Sequence, residues 1–260
     1  MNMAKTTKKS SKNSKRISGN SSKRQRKQAK HVKKTAASRV TKAKSGSKIK
    51  DKVMFDIPHY PQTEDFTSSA ACAMMVLKYI NKNFQFKKEH EYDIWQEAVN
   101  GSVWHGSKYG LAYALAKRGA GVSIVSNMKE EGYDRKLAVY ENINLDTLTA
   151  SYNEIKAKAQ AQNVQEDHSV VTINSIKRAL SGNNIPIVLI DANTINPYME
   201  SSPHWVVVKG YDKDAFYIND PYSDNTITLD PEIFKSSLGY DSNFHMILID
   251  SRHFKPKKTA

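Results

Sequence analysis

The sequence predicts an α+β fold in which several helices come before an antiparallel sheet. Between about residues 69 and 183, apolar residues recur at helical spacing in segments bounded by capping residues and glycines. After residue 184 the pattern changes to short apolar runs separated by turn residues, which is typical of strands joined by hairpins. Helices followed by a run of strands indicate an α+β domain.

The first 52 residues differ from the rest of the chain in charge. They hold 19 Lys or Arg and one acid, Asp51, a net charge of +18. Residues 53–260 hold 21 bases and 25 acids, a net charge of −4. These 52 residues also contain too few apolar side chains to offset the entropy of the chain. We therefore predict that residues 1–52 form a disordered basic tail. Its densest cluster, residues 23–34, favours nonspecific contact with nucleic acid or an acidic surface; a solubilising extension is the alternative.

The elements are predicted in the following order. A short strand begins at Met54 and stops at Pro58, and a buried helix runs from about Ser69 to Asn81 with Thr67 or Ser68 as its cap. Further segments read as helices: 86–99, 106–121, 145–162 and 172–183. The remaining strands are predicted at 122–127, 185–191, 204–212, 215–220, 225–230 and 245–250. The folded domain is placed at 53–254, before a short basic end at 255–260.

Three segments carry residues suited to chemistry. Gln62 comes shortly before the first helix, His204 opens one strand, and Asp220 ends the next. Neighbouring antiparallel strands joined by a short turn can bring His204 and Asp220 to the same end of the sheet. A His oriented by a carboxylate and facing a helix N-terminus favours an anionic nucleophile. An amide six residues before that nucleophile can help to stabilise an oxyanion.

These segments also resemble a known family. QTEDFTSSAACAMM (62–75), HWVVV (204–208) and NDP (219–221) are similar in kind and order to motifs of the papain-like cysteine peptidases of the bacteriocin-processing, double-glycine type. The likeness is greater to their stand-alone bacterial and archaeal relatives, and it covers roughly residues 54–250. It implies a papain-like fold and a cleft that takes a peptide or protein segment.

The resemblance implies a role for each matching residue. Gln62 matches the oxyanion-hole glutamine, His204 the general base, and Asp220 the residue that orients the base. The nucleophile position falls on Ser68, where the family has Cys. The next two positions, Ser69 and Ala70, replace the usual Gly-Pro. This departure puts the activity itself in question.

Several interpretations of this position stay open. Ser68 can be an attacking serine in a Ser-His-Asp set, although a site tuned for a thiolate usually serves a hydroxyl poorly. Ser68 can instead be a plain helix N-cap. Cys72, the only cysteine, lies one helical turn further on and is expected to pack in the core rather than attack. We therefore predict a degenerate peptidase domain that binds peptide, with a serine hydrolase and a nucleic-acid-associated protein as alternatives.

Other features predict the surroundings of the site. Trp104 and His105 lie in a Gly-rich segment that forms either a wall of the cleft or an exposed loop, and residues 193–202 can form a flap. The histidines outside the motifs show no metal-binding spacing, so neither a metal nor a cofactor is expected. A single Cys excludes an internal disulfide and a Cys-based zinc site, and a reducing, intracellular setting is expected. No apolar run is long enough for a membrane span or a secretory signal.

Overall fold

The structure is a computed structural model that describes residues 48–100, 103–128, 139 and 142–255. Most of the predicted basic tail, to residue 47, and the basic end from residue 256 lie outside the described residues, so both stay predictions. Within the span predicted as tail, Ile49 packs against the core. The Lys50 backbone N–H donates to Ser181 Oγ at 3.0 Å, and its carbonyl accepts from the Tyr211 hydroxyl at 2.6 Å. Contacts with the core therefore begin a few residues before the predicted boundary at Val53.

The described residues contain seven helices. They are α1 (Ser68–Ile80), α2 (Lys88–Ala98), α3 (Lys108–Lys117), α4 (Leu145–Ala161), α5 (Ile173–Ser181), α6 (Ala192–Ile195) and α7 (Pro231–Ser237). The first five correspond to predicted helices. Helix α7 was not predicted, although Asp230 accepts from the Glu232 N–H and Pro231 stands in the first turn, which is an ordinary helix start. No described helix has both the length and the apolar character needed to cross a membrane.

Ten strands lie within the described residues. They are β1 (Val53–Met54), β2 (Val99–Asn100), β3 (Val103–Gly106), β4 (Ala120–Ser126), β5 (Gln165–Asp167), β6 (Asn184–Asp191), β7 (Pro203–Tyr211), β8 (Phe216–Asn219), β9 (Thr226–Leu229) and β10 (His245–Phe254). Eight of them form one sheet in the order β5-β4-β10-β6-β7-β8-β9, with β1 paired to β7. Strands β2 and β3 pair with each other separately.

The α+β class with helices packed on a largely antiparallel sheet is confirmed, and two details of the sheet are corrected. Strand β10 does not continue the hairpin run after β9; it pairs with β4 and β6 in the middle of the sheet. Its first five residues are all buried, which is what a central strand requires. Strand β5 is parallel to β4, because helix α4 intervenes and carries the chain back before β5 begins.

Helix α1 is the central helix, as predicted. Residues 68–77 are all buried, and the helix packs against β7 and α2. Helix α3 packs on β4 and is flanked by α2 and α4, while α5 lies on β6. A helix that is apolar on nearly every face fits a position enclosed on all sides. Its N-terminal end is thereby fixed against the strand that carries His204.

A buried polar network lies where α3 begins. Lys108 is fully buried, and its Nζ donates to Ser126 Oγ at 3.0 Å and to Glu166 Oε1 at 2.8 Å. Glu166 also accepts from the Tyr109 hydroxyl. Ser126 Oγ lies 2.9 Å from His245 Nδ1, across the pairing of β4 with β10. A buried cation needs such partners, because a charge without them is costly to remove from water.

This network makes the fold sensitive to acid. Burial, with a smaller contribution from the charge of Lys108, lowers the pKa of His245 to about 3. The same side chain titrates near pH 6.5 in an unfolded chain, so between these values only the unfolded state binds the proton. The free energy of unfolding is therefore expected to fall by up to about 1.4 kcal/mol for each unit that the pH drops from 6.5 towards 3.

The test is urea unfolding between pH 7 and pH 4.5. His245→Asn keeps an acceptor for Ser126 and cannot be protonated, so its stability should depend less on pH than that of the native chain. His90→Asn removes an imidazole that lies outside this network, where it contacts the Gln85 carbonyl, and serves as the control. An unchanged slope in His245→Asn would contradict the assignment.

Candidate active site

A buried His–Asp pair forms the centre of the site. His204 opens β7, and Asp220 directly follows β8, which pairs with β7. Their side chains meet with Nε2 2.7 Å from Oδ1, and both residues are almost fully buried. Burial by itself would raise the pKa of Asp220. The hydrogen bond and charge of His204, the backbone N–H of Tyr222 and the charge of His59 outweigh burial and lower that pKa.

The pairing with Asp220 fixes the tautomer of a neutral His204. A carboxylate only accepts hydrogen bonds, so Nε2 of His204 carries a hydrogen and donates it in the hydrogen bond to Asp220. In the neutral imidazole, Nδ1 is then the acceptor. This is the arrangement a general base needs, with one nitrogen held and the other able to take a proton.

Ser68 begins α1 next to the strand that carries His204. Its Oγ accepts a hydrogen bond at 3.4 Å from the backbone N–H of Trp205, the residue after His204. The interpretation of Ser68 as a helix N-cap is wrong, because Thr67 occupies the cap position and Ser68 is the first helical residue. Thr67 makes no capping bond with its side chain, whose hydroxyl donates to Glu91 Oε1 at 2.6 Å and also lies 2.9 Å from the Glu64 carbonyl oxygen. Ser68 therefore lies at the positive end of the helix dipole without being used as a cap.

Gln62 reaches the site through its loop. Its backbone N–H donates to the Pro221 carbonyl at 2.8 Å, and His59 Nε2 lies 2.9 Å from the Asp220 carbonyl. The side chain donates from Nε2 to the Glu64 carbonyl at 2.9 Å, and Oε1 is buried with no hydrogen-bond partner among the described residues. The structure thus brings the loop of Gln62, the helix start and the His–Asp pair together, while their roles stay predictions.

Glu91 supports the loop of Gln62, a role that was not predicted from the sequence. Its carboxylate is fully buried and accepts from the Thr67 hydroxyl at 2.6 Å, the Thr63 N–H at 2.9 Å and the Tyr60 hydroxyl at 3.0 Å. Burial, followed by the charge of Glu91, raises the pKa of Tyr60. A signal was present in the sequence, since Glu91 falls on the buried stripe of α2 with Ile94 and Ala98.

Cys72 does not belong to the reactive part of the site. It is fully buried in α1, and its Sγ donates to the Trp205 carbonyl at 3.2 Å. Burial, with a smaller effect from Asp220, raises the pKa of the thiol well above its ordinary value. A buried thiol of this kind is a poor nucleophile.

The segment with Trp104 and His105 forms strand β3 beside the site. The Gly106 carbonyl accepts from Trp205 Nε1 at 2.8 Å. Burial, then the charge of His204, lowers the pKa of His105. Strand β3 packs closely against the start of α1, because a Cβ added at Gly106 would lie 2.1 Å from Ser69 Oγ. Strand β3 therefore lies against both the start of α1 and the strand of His204.

The segment predicted as a flap connects β6 to β7. The Ala192 N–H donates to the Ser202 carbonyl at 3.1 Å. This bond closes the loop at the ends of β6 and β7, where Ile190 pairs with His204. It contains the short helix α6, and its role as a flap stays a prediction. Within the described ranges, no group of three or more His, Cys, Asp or Glu is arranged to hold a metal ion.

Comparison with known proteins assigns this arrangement to a family. Residues 57–233 match a family described as "Peptidase_C39 like family". The chain belongs to the Peptidase_C39-like family. The match contains Gln62, Ser68, His204 and Asp220.

Several solved structures are similar to this chain, and one of them serves as an example. It comes from Bacillus anthracis and is described as a C39-like peptidase, with 14% sequence identity and a TM-score of 0.41. The similarity covers 80% of this chain and 100% of the other. At these values the family assignment rests on the sequence match.

The contact between β3 and α1 gives a testable prediction. Gly106→Ala would place a Cβ 2.5 Å from Ser69 Cβ as well as against its Oγ, and should lower the free energy of unfolding by about 1–3 kcal/mol. Ser69→Gly removes both obstructing atoms, so the double variant should regain most of that loss. Gly121→Ala, whose added Cβ would meet nothing closer than 3.4 Å, is the control. Urea unfolding measures all four variants, and additive losses in the double variant would show that the contact is not responsible.

Proposed function

We propose that this Peptidase_C39-like chain binds a peptide segment in the cleft at Ser68 without cleaving it efficiently. The observation that carries the proposal is the His204–Asp220 pair, 2.7 Å apart beside the helix start at Ser68. The peptidase motif that the sequence resembles has a cysteine at the position of Ser68. The resemblance of the motifs and the match to a peptidase family support a peptide as the occupant.

The physical reason for weak turnover is the nucleophile. A papain-type site stores its reactivity as a thiolate beside an imidazolium, which the helix dipole also favours. A serine hydroxyl has a far higher pKa, so it remains protonated until the moment of attack. The base must then remove the proton while the new bond forms, and a site shaped for sulfur does this poorly.

A serine-dependent hydrolase is the alternative reaction at the same residues. Ser68 Oγ would attack the carbonyl carbon of an amide while His204 Nδ1 took its proton. Asp220 would hold the imidazole, and the Gln62 side-chain amide would stabilise the oxyanion. His204 would next give the proton to the leaving amine, and water would hydrolyse the acyl-enzyme. The geometry of the His–Asp pair is compatible with this route, so the two proposals differ only in the reactivity of Ser68.

One experiment separates them. The full chain is treated with a serine-reactive phosphonate, the Ser68→Cys variant is treated with iodoacetamide, and mass spectrometry locates each adduct. We expect no phosphonate on Ser68. We expect alkylation of the introduced thiol at pH 6 to be at least about tenfold faster than in Ser68→Cys with His204→Ala.

The controls are built into the chain. Cys72 is buried and should stay unlabelled, and Ser69→Cys places a matched thiol one residue away at a fully buried position. Phosphonate on Ser68 that depends on His204 would replace the binding proposal with the hydrolase. Alkylation of the introduced thiol that does not depend on His204 would refute a functional cleft.

The basic tail carries a second proposal. Its net charge of +18, against −4 for the rest of the chain, favours electrostatic attachment to nucleic acid. Binding of the full chain to duplex DNA should then weaken steeply with salt and be lost when residues 1–47, which end before the core contacts of Ile49 and Lys50, are deleted. Equal binding by both forms would reject a role for the tail.

A further inference from the structure

The exposed aromatic side chains of the described residues are concentrated around the candidate cleft. Those above one third exposure are Trp104 at 53%, Tyr222 at 48% and Tyr198 at 100%. Trp104 is next to His105, Tyr222 is two residues after Asp220, and Tyr198 lies in the loop that leads to His204. A single exposed aromatic is ordinary, but three on segments that adjoin one site indicate a binding surface.

Trp104 is held in place although it is exposed. Its ring lies edge-on to Phe66 with centroids 5.0 Å apart, and 6.0 Å from the ring of Trp95. The Trp95 indole N–H also donates to the Trp104 carbonyl at 3.0 Å. Phe66 precedes Ser68 by two residues, so Trp104 is attached to the loop that ends at the helix start. A ring fixed before binding loses little entropy when a ligand packs on it.

Tyr222 is attached to the other side of the site. Its backbone N–H donates at 3.0 Å to Asp220 Oδ1, the same oxygen that accepts the hydrogen bond from His204 Nε2. The turn is closed by a hydrogen bond from the Ser223 N–H to the Asp220 carbonyl. One aromatic side chain therefore belongs to the nucleophile side and another to the His–Asp side.

The charge of the surrounding loops is one-sided. Residues 59–66, 103–107, 192–202 and 220–225 contain no Lys or Arg. Apart from Asp220 they contain four acids, of which Glu64 pairs with Lys88 at 3.0 Å. The other three, Asp65, Glu200 and Asp224, are exposed.

We propose that a rim around the site selects peptides that carry a large apolar or aromatic side chain next to Lys or Arg. The rim consists of Trp104, Tyr222, Asp65, Glu200 and Asp224. The inference rests on the proposed function, because it names the class of peptide that the same cleft takes. The rings of Trp104 and Tyr222 provide surface for an apolar side chain and an electron-rich face for a cation. Asp65, Glu200 and Asp224 attract a positive segment and repel a negative one.

The test uses peptidyl vinyl sulfones on the full chain with Ser68→Cys. Three probes share one backbone: one has Phe and Lys, one has Gly in place of Phe, and one has Glu in place of Lys. The first should label residue 68 at least about tenfold faster than either of the others, as expected when an aromatic anchor or a charge pair is lost. Each rate is divided by the iodoacetamide rate of the same variant, which removes differences in thiol reactivity.

Variants assign each preference to its residues. Trp104→Ala should abolish the preference for Phe over Gly and keep the preference for Lys over Glu. Asp65→Asn with Asp224→Asn should do the reverse, and its effect should shrink as salt is raised. The exposed residues Ile233 and Glu232 on α7 provide the controls Ile233→Ala and Glu232→Gln.

A second measurement does not require the thiol. The same peptides without the electrophile are titrated against the native chain and against Trp104→Ala, and fluorescence anisotropy measures binding. Both proteins carry the basic tail, so any binding to the tail is the same in both. We expect the Phe–Lys peptide to bind about tenfold more weakly to Trp104→Ala.

The outcomes separate the two proposals. Alkylation that depends on His204 combined with equal labelling by all three peptides would overturn the rim and leave the proposed function in place. Preferences that persist in the rim variants, or faster labelling by the Glu probe, would also overturn it. Alkylation that does not depend on His204 would overturn the proposed function, and equal anisotropy for both proteins would then overturn the rim as well.

Discussion

Trp205 connects the three elements from which the site is built. Its backbone N–H donates to Ser68 Oγ and its carbonyl accepts from Cys72 Sγ, so α1 is attached to β7 at two points one helical turn apart. Its indole N–H donates to the Gly106 carbonyl of β3. The ring is almost fully buried, and these bonds cannot be exchanged for water without opening the core. The positions of Ser68, His105 and His204 relative to one another follow from this one residue.

The sequence predicted the parts of the site that depend on local pattern. His204 and Asp220 stand at the ends of neighbouring apolar strands, and period-two strands joined by a short turn leave little freedom in how such ends meet. Helix α1 was equally predictable, because a long apolar run on all faces can only be central. The family match spans the segments that carry these residues.

Contacts between distant segments were not predictable in this way. The helical spacing places Glu91 on the buried stripe of α2, but only the folded chain shows that it accepts from the Thr67 hydroxyl and the Thr63 N–H. The Lys108–Glu166 pair likewise joins α3 to β5 across 58 residues. The N-cap position belongs to Thr67 and not to Ser68, and the Thr67 hydroxyl bonds to Glu91 instead of to a helix N–H. In each case a long-range hydrogen bond took precedence over a local preference.

The central position of β10 has a consequence for how the chain acquires its structure. Strands β5 and β4 lie on one side of β10, and β6 to β9 lie on the other, so β10 joins two parts of the sheet that do not otherwise pair. It is also the last described strand, and its partner Ser126 lies 119 residues before His245. Closing such a long loop is slow compared with forming hairpins. During synthesis, the hairpins around His204 can form early, whereas the sheet becomes continuous only after residue 254 has left the ribosome.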